Sequence, residues 1–166
     1  MSLTRWLLLA TAAGVACYVV ALMWTVGHDV VLSLVPATAD VPATDAPESF
    51  SDQVAGRSLA YILLVFALAP AMIESVAFVL IYLFVRSLSR VGLANIVIYV
   101  ALIWLFGYVA HGGDLQQIGK ATAFAGLAAL FWRARTDVGL ASSYALISLA
   151  HFIWNATSVL IWYARQ

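Results

Sequence analysis

The sequence predicts an all-α integral membrane protein: a bundle of about five transmembrane helices, with the N-terminus cytoplasmic and the C-terminus outside. Three observations carry this expectation. Of 166 residues, 64% are hydrophobic and 10% charged, where a soluble domain averages about a quarter charged residues. The apolar residues gather into long runs near the roughly 20 residues that a helix needs to cross hydrocarbon. The basic residues are shared unevenly between the alternate ends of those runs, which sets orientation.

The first apolar run, 6–26, follows Arg5. It exceeds a signal-peptide core and lacks a clean small-x-small cleavage site. "GVAC" before Cys17 only faintly matches a lipoprotein box, so the run is expected to stay as a membrane span. The lone cysteine excludes an internal disulfide. Residues 36–58 change character, with Pro36, Pro42 and Pro47 among Asp40, Asp45, Glu48 and Asp52. Prolines oppose regular helix, so this acidic stretch is expected to be an extended extramembrane loop. Four further spans are expected at about 59–85, 93–110, 118–132 and Leu140–Tyr163. The third of these is short, about 22 Å at the helical rise. The chain thus divides into an N-terminal span and its exit (1–35), the acidic loop (36–58) and a four-helix membrane core (59–166).

With five spans and the N-terminus inside, Arg5, Arg86, Arg90, Arg133 and Arg135 face the cytoplasm, and Arg57, Lys120 and Arg165 face outward. Eight basic residues balance eight acidic ones, and nothing in the charge points to nucleic acid. The partner that the composition demands is the lipid bilayer.

Ionisable groups at membrane depth are costly and mark a function or a buried partner. Glu74 lies in "APAMIESVAFVLIY", with no other charged residue between Arg57 and Arg86. An isolated ionised carboxylate there costs several kcal/mol, so it is neutral or paired. On the last span, Tyr144, Ser148, His151, Asn155 and Ser158 recur at spacings of three and four, a single polar stripe facing the bundle interior. Such a stripe also serves as hydrogen-bonding glue between helices. Depth argues for more. Glu74 is twelve residues from Arg86, about 18 Å, and His151 thirteen from Val138, about 20 Å. His111 and Asn155 come out at about 24 and 26 Å. All four fit one layer of the bilayer. A carboxylate beside two imidazoles suits either a general base activating water or a zinc set. No HExxH spacing supports the metal, and no GxSxG supports a serine nucleophile.

The order Glu74, His111, His151-x-x-x-Asn155 resembles the CAAX-protease and bacteriocin-processing (CPBP, or Abi) family of glutamate intramembrane proteases. "PAMIESVAF" looks like its Glu-Glu-x-x-x-Arg motif, "FGYVAH" like Phe-x-x-x-His, and the region through "SLAHFIWNATSVL" like its closing His-x-x-x-Asn helix. The resemblance covers roughly residues 60–160. It implies a metal-independent, cofactor-free endopeptidase in a bacterial plasma membrane, acting on a membrane-associated peptide or protein. Glu74 and His111 would activate the water, and His151 and Asn155 would form the oxyanion site. This chain departs from the pattern at Ser75, where a second glutamate is usual, at Val79, near the expected arginine, and at Gly107, which takes the phenylalanine position. Those departures keep a second class open: a non-catalytic relative serving as accessory subunit, scaffold or immunity-type binder of a membrane complex. A third class, a haem or metal protein ligated through His28, His111 or His151, has only the histidines behind it.

Overall fold

A computed structural model describes residues 2–34, 50–88 and 92–165, and all regular structure among them is helical. In chain order these are α1 (Leu3–Leu34), α2 (Phe50–Val54), α3 (Leu59–Ile62), α4 (Ala69–Leu88), α5 (Gly92–Ala110), α6 (Ile118–Val138) and α7 (Leu140–Tyr163). A π-helical turn, Leu63–Leu68, joins α3 to α4 without a break, so Leu59–Leu88 is one helix of 30 residues. Pro70 accounts for the turn. Its ring lacks an N–H and crowds the carbonyl four residues back, which here belongs to Phe66. The backbone answers by widening its register, and the Ala69 N–H donates to Leu64 O.

Four helices are long and apolar enough to cross a membrane: Leu3–Val30, Leu59–Leu88, Gly92–Ala110 and Leu140–Tyr163. They mark the chain as an integral membrane protein. The remaining long helix, α6, extends six residues past the run expected at 118–132 and carries Lys120, Arg133, Arg135 and Asp137. It tolerates them because it is walled in by α1, α5 and α7. Gly119, Ala121, Ala123, Phe124, Leu127, Ala128, Phe131 and Ala134 are all buried along it. Small residues let neighbouring backbones approach closely where lipid supplies no hydrophobic drive for helix association.

α1 belongs to this packing. Trp6 and Ala10 are buried, Gly14 faces the carbonyl of Ala150 on α7, and the Cys17 thiol donates to Ala123 O at 3.5 Å. Farther along, the Trp24 indole N–H donates to Leu115 O at 2.7 Å. Thus the far end of α1 lies beside the α5–α6 turn.

The helix directions give the bundle two ends. Arg5, Arg86, Arg133, Arg135 and Asp137 lie at the first, where Arg135 sits 4.5 Å over the ring of Tyr82. Arg57, His111, Asp114, Lys120 and Arg165 lie at the second. α2 corrects the expectation of an extended loop over the whole of 36–58. Phe50 seats edge-on against Phe66, with centroids 5.2 Å apart, and against Trp162, at 4.9 Å. Burying that ring stabilises a helical turn which the composition alone does not. The prolines and acids of 35–49, and Arg90, lie outside the described residues.

Candidate functional site

The polar stripe of α7 lies against the helix Leu59–Leu88 and meets it three times. The Tyr144 hydroxyl donates to Met72 O at 3.1 Å. His151 Nε2 stands 3.6 Å from Glu74 Oε2. The Asn155 amide donates to Ala67 O at 3.4 Å. That last carbonyl belongs to the π turn. Ser158 bonds back to Trp154 O on its own helix and adds nothing across the interface.

His151 is buried, with its ring edge-on to Phe124 at 5.0 Å and beside Trp154 at 5.4 Å. At 3.6 Å its contact with Glu74 is electrostatic, slightly beyond hydrogen-bond length. Glu74 Oε2 is itself buried, while the side chain as a whole keeps 25% of its surface exposed. One carboxylate oxygen is thus buried with only the imidazole beside it, while part of the side chain stays exposed.

His111 sits in the turn just past α5. Gly112 and Gly113, at φ 109° and 71°, end that helix, and their N–H groups donate to Val109 O and Tyr108 O. Only glycine takes such angles cheaply, and it is the usual residue at this position of a helix end. His111 Nδ1 lies 2.9 Å from Gly107 O. A carbonyl only accepts, so Nδ1 carries the proton and Nε2 of the neutral ring keeps its lone pair. Burial holds this imidazole below the ordinary histidine range; the Gly107 carbonyl opposes the shift and the Lys120 charge adds to it.

A cavity of about 390 Å³ opens at the second end. His111, Lys120, Asn155 and Ser158 line its polar side, and Phe50, Phe66, Trp154 and Trp162 its aromatic side. The four residues singled out from the sequence thus fall into two pairs. Glu74 meets His151, and His111 shares the cavity with Asn155. Trp154 joins the pairs, since it lines the cavity and packs on His151.

Two residues here escaped the sequence reading. One is Phe124, whose ring lies edge-on to both His111 (5.5 Å) and His151 (5.0 Å). It reaches them because α5 has a glycine opposite. A Cβ on Gly107 would stand 2.8 Å from Phe124 Cγ and 3.0 Å from its Cβ. The place where the resemblance expects a phenylalanine on α5 is filled by one from α6. Gly107→Ala should accordingly cost about 1–3 kcal/mol, read as a lower unfolding midpoint in detergent. Combining it with Phe124→Leu should recover part of that loss, and strictly additive effects would contradict the contact.

The other is Lys120, in the first turn of α6. It stands on the cavity wall with His111 and Asn155. Among the described residues, no three His, Cys, Asp or Glu side chains come together to hold a metal ion.

Compared with known proteins, the chain matches no protein-family model, no curated protein and no solved structure.

Proposed function

We propose that the chain is a glutamate-dependent intramembrane endopeptidase of the CPBP type, acting on a membrane-associated peptide in a bacterial plasma membrane. One observation carries the reading: a carboxylate at membrane depth faces an imidazole at 3.6 Å, one aromatic ring away from a cavity that holds a second imidazole and a carboxamide. With the first end cytoplasmic, Arg5, Arg86, Arg133 and Arg135 lie inside and the cavity opens outward.

In this reading Glu74 takes a proton from water, and the hydroxide oxygen bonds to the carbonyl carbon of the substrate. The carbonyl becomes an oxyanion, to which Asn155 donates. Its amide carries two N–H groups, and with one held by Ala67 O the second is oriented in advance. The C–N bond then breaks as the proton from Glu74 passes to the departing nitrogen, leaving a carboxylate and an amine. His111, with its Nε2 lone pair toward the cavity, accepts and relays protons. His151 holds Glu74 in place. The test is cleavage of a mixed peptide library by protein reconstituted in liposomes, followed by mass spectrometry. Glu74→Gln should lose at least about 100-fold in rate, and full activity in that variant would end the proposed mechanism.

A second reading, a non-catalytic subunit or binder in a membrane complex, draws on the same rings. Phe124 and Trp154 pack on His151, and the cavity lining does not extend to Glu74. Stable co-purification with a larger assembly, with no cleavage even by Trp154→Ala, would favour it.

A further inference from the structure

On the aromatic side of the cavity, Phe66 in the π turn and Trp162 near the end of α7 present their rings from two membrane helices. A third ring stands against both: Phe50, at interplanar angles of 86° to Phe66 and 82° to Trp162. Edge-to-face contact at about 5 Å between centroids is a favoured arrangement of aromatic pairs. Phe50 does not belong to the helices that build the rest of this wall. It comes from α2, a helix of five residues. We infer that the place between Phe66 and Trp162 is a subsite for an aromatic side chain of a peptide, and that Phe50 occupies it as a stand-in from the chain itself. The inference deepens the endopeptidase reading, on which the peptide's being a substrate rests; the subsite and its occupant rest on the ring geometry.

Two features make the occupant displaceable. Of the α2 side chains described, Phe50 and Val54 are turned inward, while Ser51 and Gln53 are exposed. Val54 packs with Ile62 and Val159 in a small cluster apart from the main core, and Phe50 packs against that cluster. Lifting α2 therefore uncovers the cavity and leaves the helix bundle closed. The second feature is the joint. α2 ends in a turn through Gly56, at φ 70°, closed by the Arg57 N–H on Val54 O at 3.0 Å. Glycine takes that left-handed angle without a steric cost. The next helix starts on its own cap, since Ser58 Oγ accepts from the Tyr61 N–H at 3.3 Å. Leu59–Leu88 thus keeps its beginning whether or not α2 is seated. Segments held by few buried contacts open at low free energy, and short elements of this kind commonly gate a site.

The rest of the cavity selects the kind of ligand. Its polar side carries His111 and Asn155, groups that a peptide backbone satisfies and a lipid chain does not. A peptide that sets one aromatic ring against Phe66 and Trp162 brings its backbone to that side. The volume of about 390 Å³ is what remains with Phe50 in place, and it already falls within the range of small-ligand sites.

The test uses the full chain in detergent micelles and follows two thiols. Val159→Cys puts one at a buried position that lines the cavity and packs with Val54 of α2. Cys17, buried in the main core, reports opening of the bundle as a whole. Both are labelled with N-ethylmaleimide and quantified by mass spectrometry of the digested protein. Adding Phe50→Ala should speed labelling at position 159 about tenfold, the worth of two ring pairs, and leave Cys17 as it was. Acetyl-Ala-Phe-Ala-amide at millimolar concentration should then slow it about threefold, as expected at twice a dissociation constant. Acetyl-Ala-Ala-Ala-amide should not. Phe50→Leu, which keeps an apolar side chain without a ring, decides the matter where Phe50→Ala loosens the bundle, and should label at an intermediate rate. Labelling at position 159 that ignores the loss of the ring overturns the inference. So does equal protection by the two peptides, or an equal rise at both thiols in Phe50→Leu. Cleavage of the mixed peptide library supplies the link to function: Phe50→Ala should favour peptides that carry an aromatic residue. Labelling as expected, with no cleavage by any variant, would refute the endopeptidase reading and leave the subsite standing. Cleavage indifferent to aromatic residues, with labelling unchanged, would refute the subsite alone.

Discussion

Ser75→Glu, which would restore the Glu-Glu pair of the motif that the chain resembles, is expected to destabilise the protein and not to activate it. Ser75 has no exposed surface, and its hydroxyl already makes no hydrogen bond among the described residues. A carboxylate there would lose its hydration and stand next to Glu74 in the chain. Leaving a buried charge uncompensated costs about 3–5 kcal/mol, a large share of the stability of a small domain. The measurement is the midpoint of unfolding in a detergent–denaturant titration, with the yield of monodisperse protein. A Ser75→Glu variant that is as stable as wild type and cleaves faster would mean that the site accommodates the second carboxylate after all. Glu74 sits in a setting this bundle has built differently, beside His151 on α7.

Gly14→Leu is expected to detach α1. Even a single Cβ at this position would fall within contact distance of the Ala150 carbonyl oxygen on α7, and 2.9 Å from Ile153 Cβ. Neither atom is the free end of a flexible chain, so the helices must separate. Overpacking typically costs about 1–3 kcal/mol; a branched side chain against backbone belongs at the upper end. Cys17, one turn along and 6% exposed, reports the event directly. Its reaction with a maleimide should be slow in wild type and at least about tenfold faster in the variant, since access to a buried thiol requires local opening. Unchanged protection of Cys17 together with an unchanged unfolding midpoint would show that α1 is held elsewhere.

Much of the architecture was legible because lipid imposes length and composition on a helix. Counting residues from the charged ends also placed Glu74 and His151 side by side, and the structure has them 3.6 Å apart. The helical rise is rigid enough for such arithmetic to work. What the count could not resolve was azimuth. Depth puts His111, His151, Glu74 and Asn155 in one layer, but their division into two pairs follows from which way each helix turns. In an almost wholly apolar helix, no hydrophobic face announces that direction. Phe124 was hidden for the same reason, as one aromatic among many until Gly107 made room for it on another helix. The alternation of five spans places Lys120 on the outer side but says nothing of the cavity wall it joins. Pro70 stands in the quoted stretch around Glu74. The π turn beside it, and the Ala67 carbonyl there that accepts from Asn155, needed the backbone.

The position of α6 has a bearing on how the protein reaches the membrane at all. A segment with Lys120, Arg133, Arg135 and Asp137 partitions poorly into lipid by itself, because central charges carry an insertion penalty of about 2.5–3.5 kcal/mol each and those near the ends somewhat less. Its neighbour α7 is apolar enough to cross alone and is joined to it by Gly139, at φ 81°. The burial of α6 therefore depends on the helices on either side of it in the chain, and it is complete only with α7 packed against it. The candidate site is assembled in the same way: Glu74, on its own helix, meets His151 only once α7 packs against it.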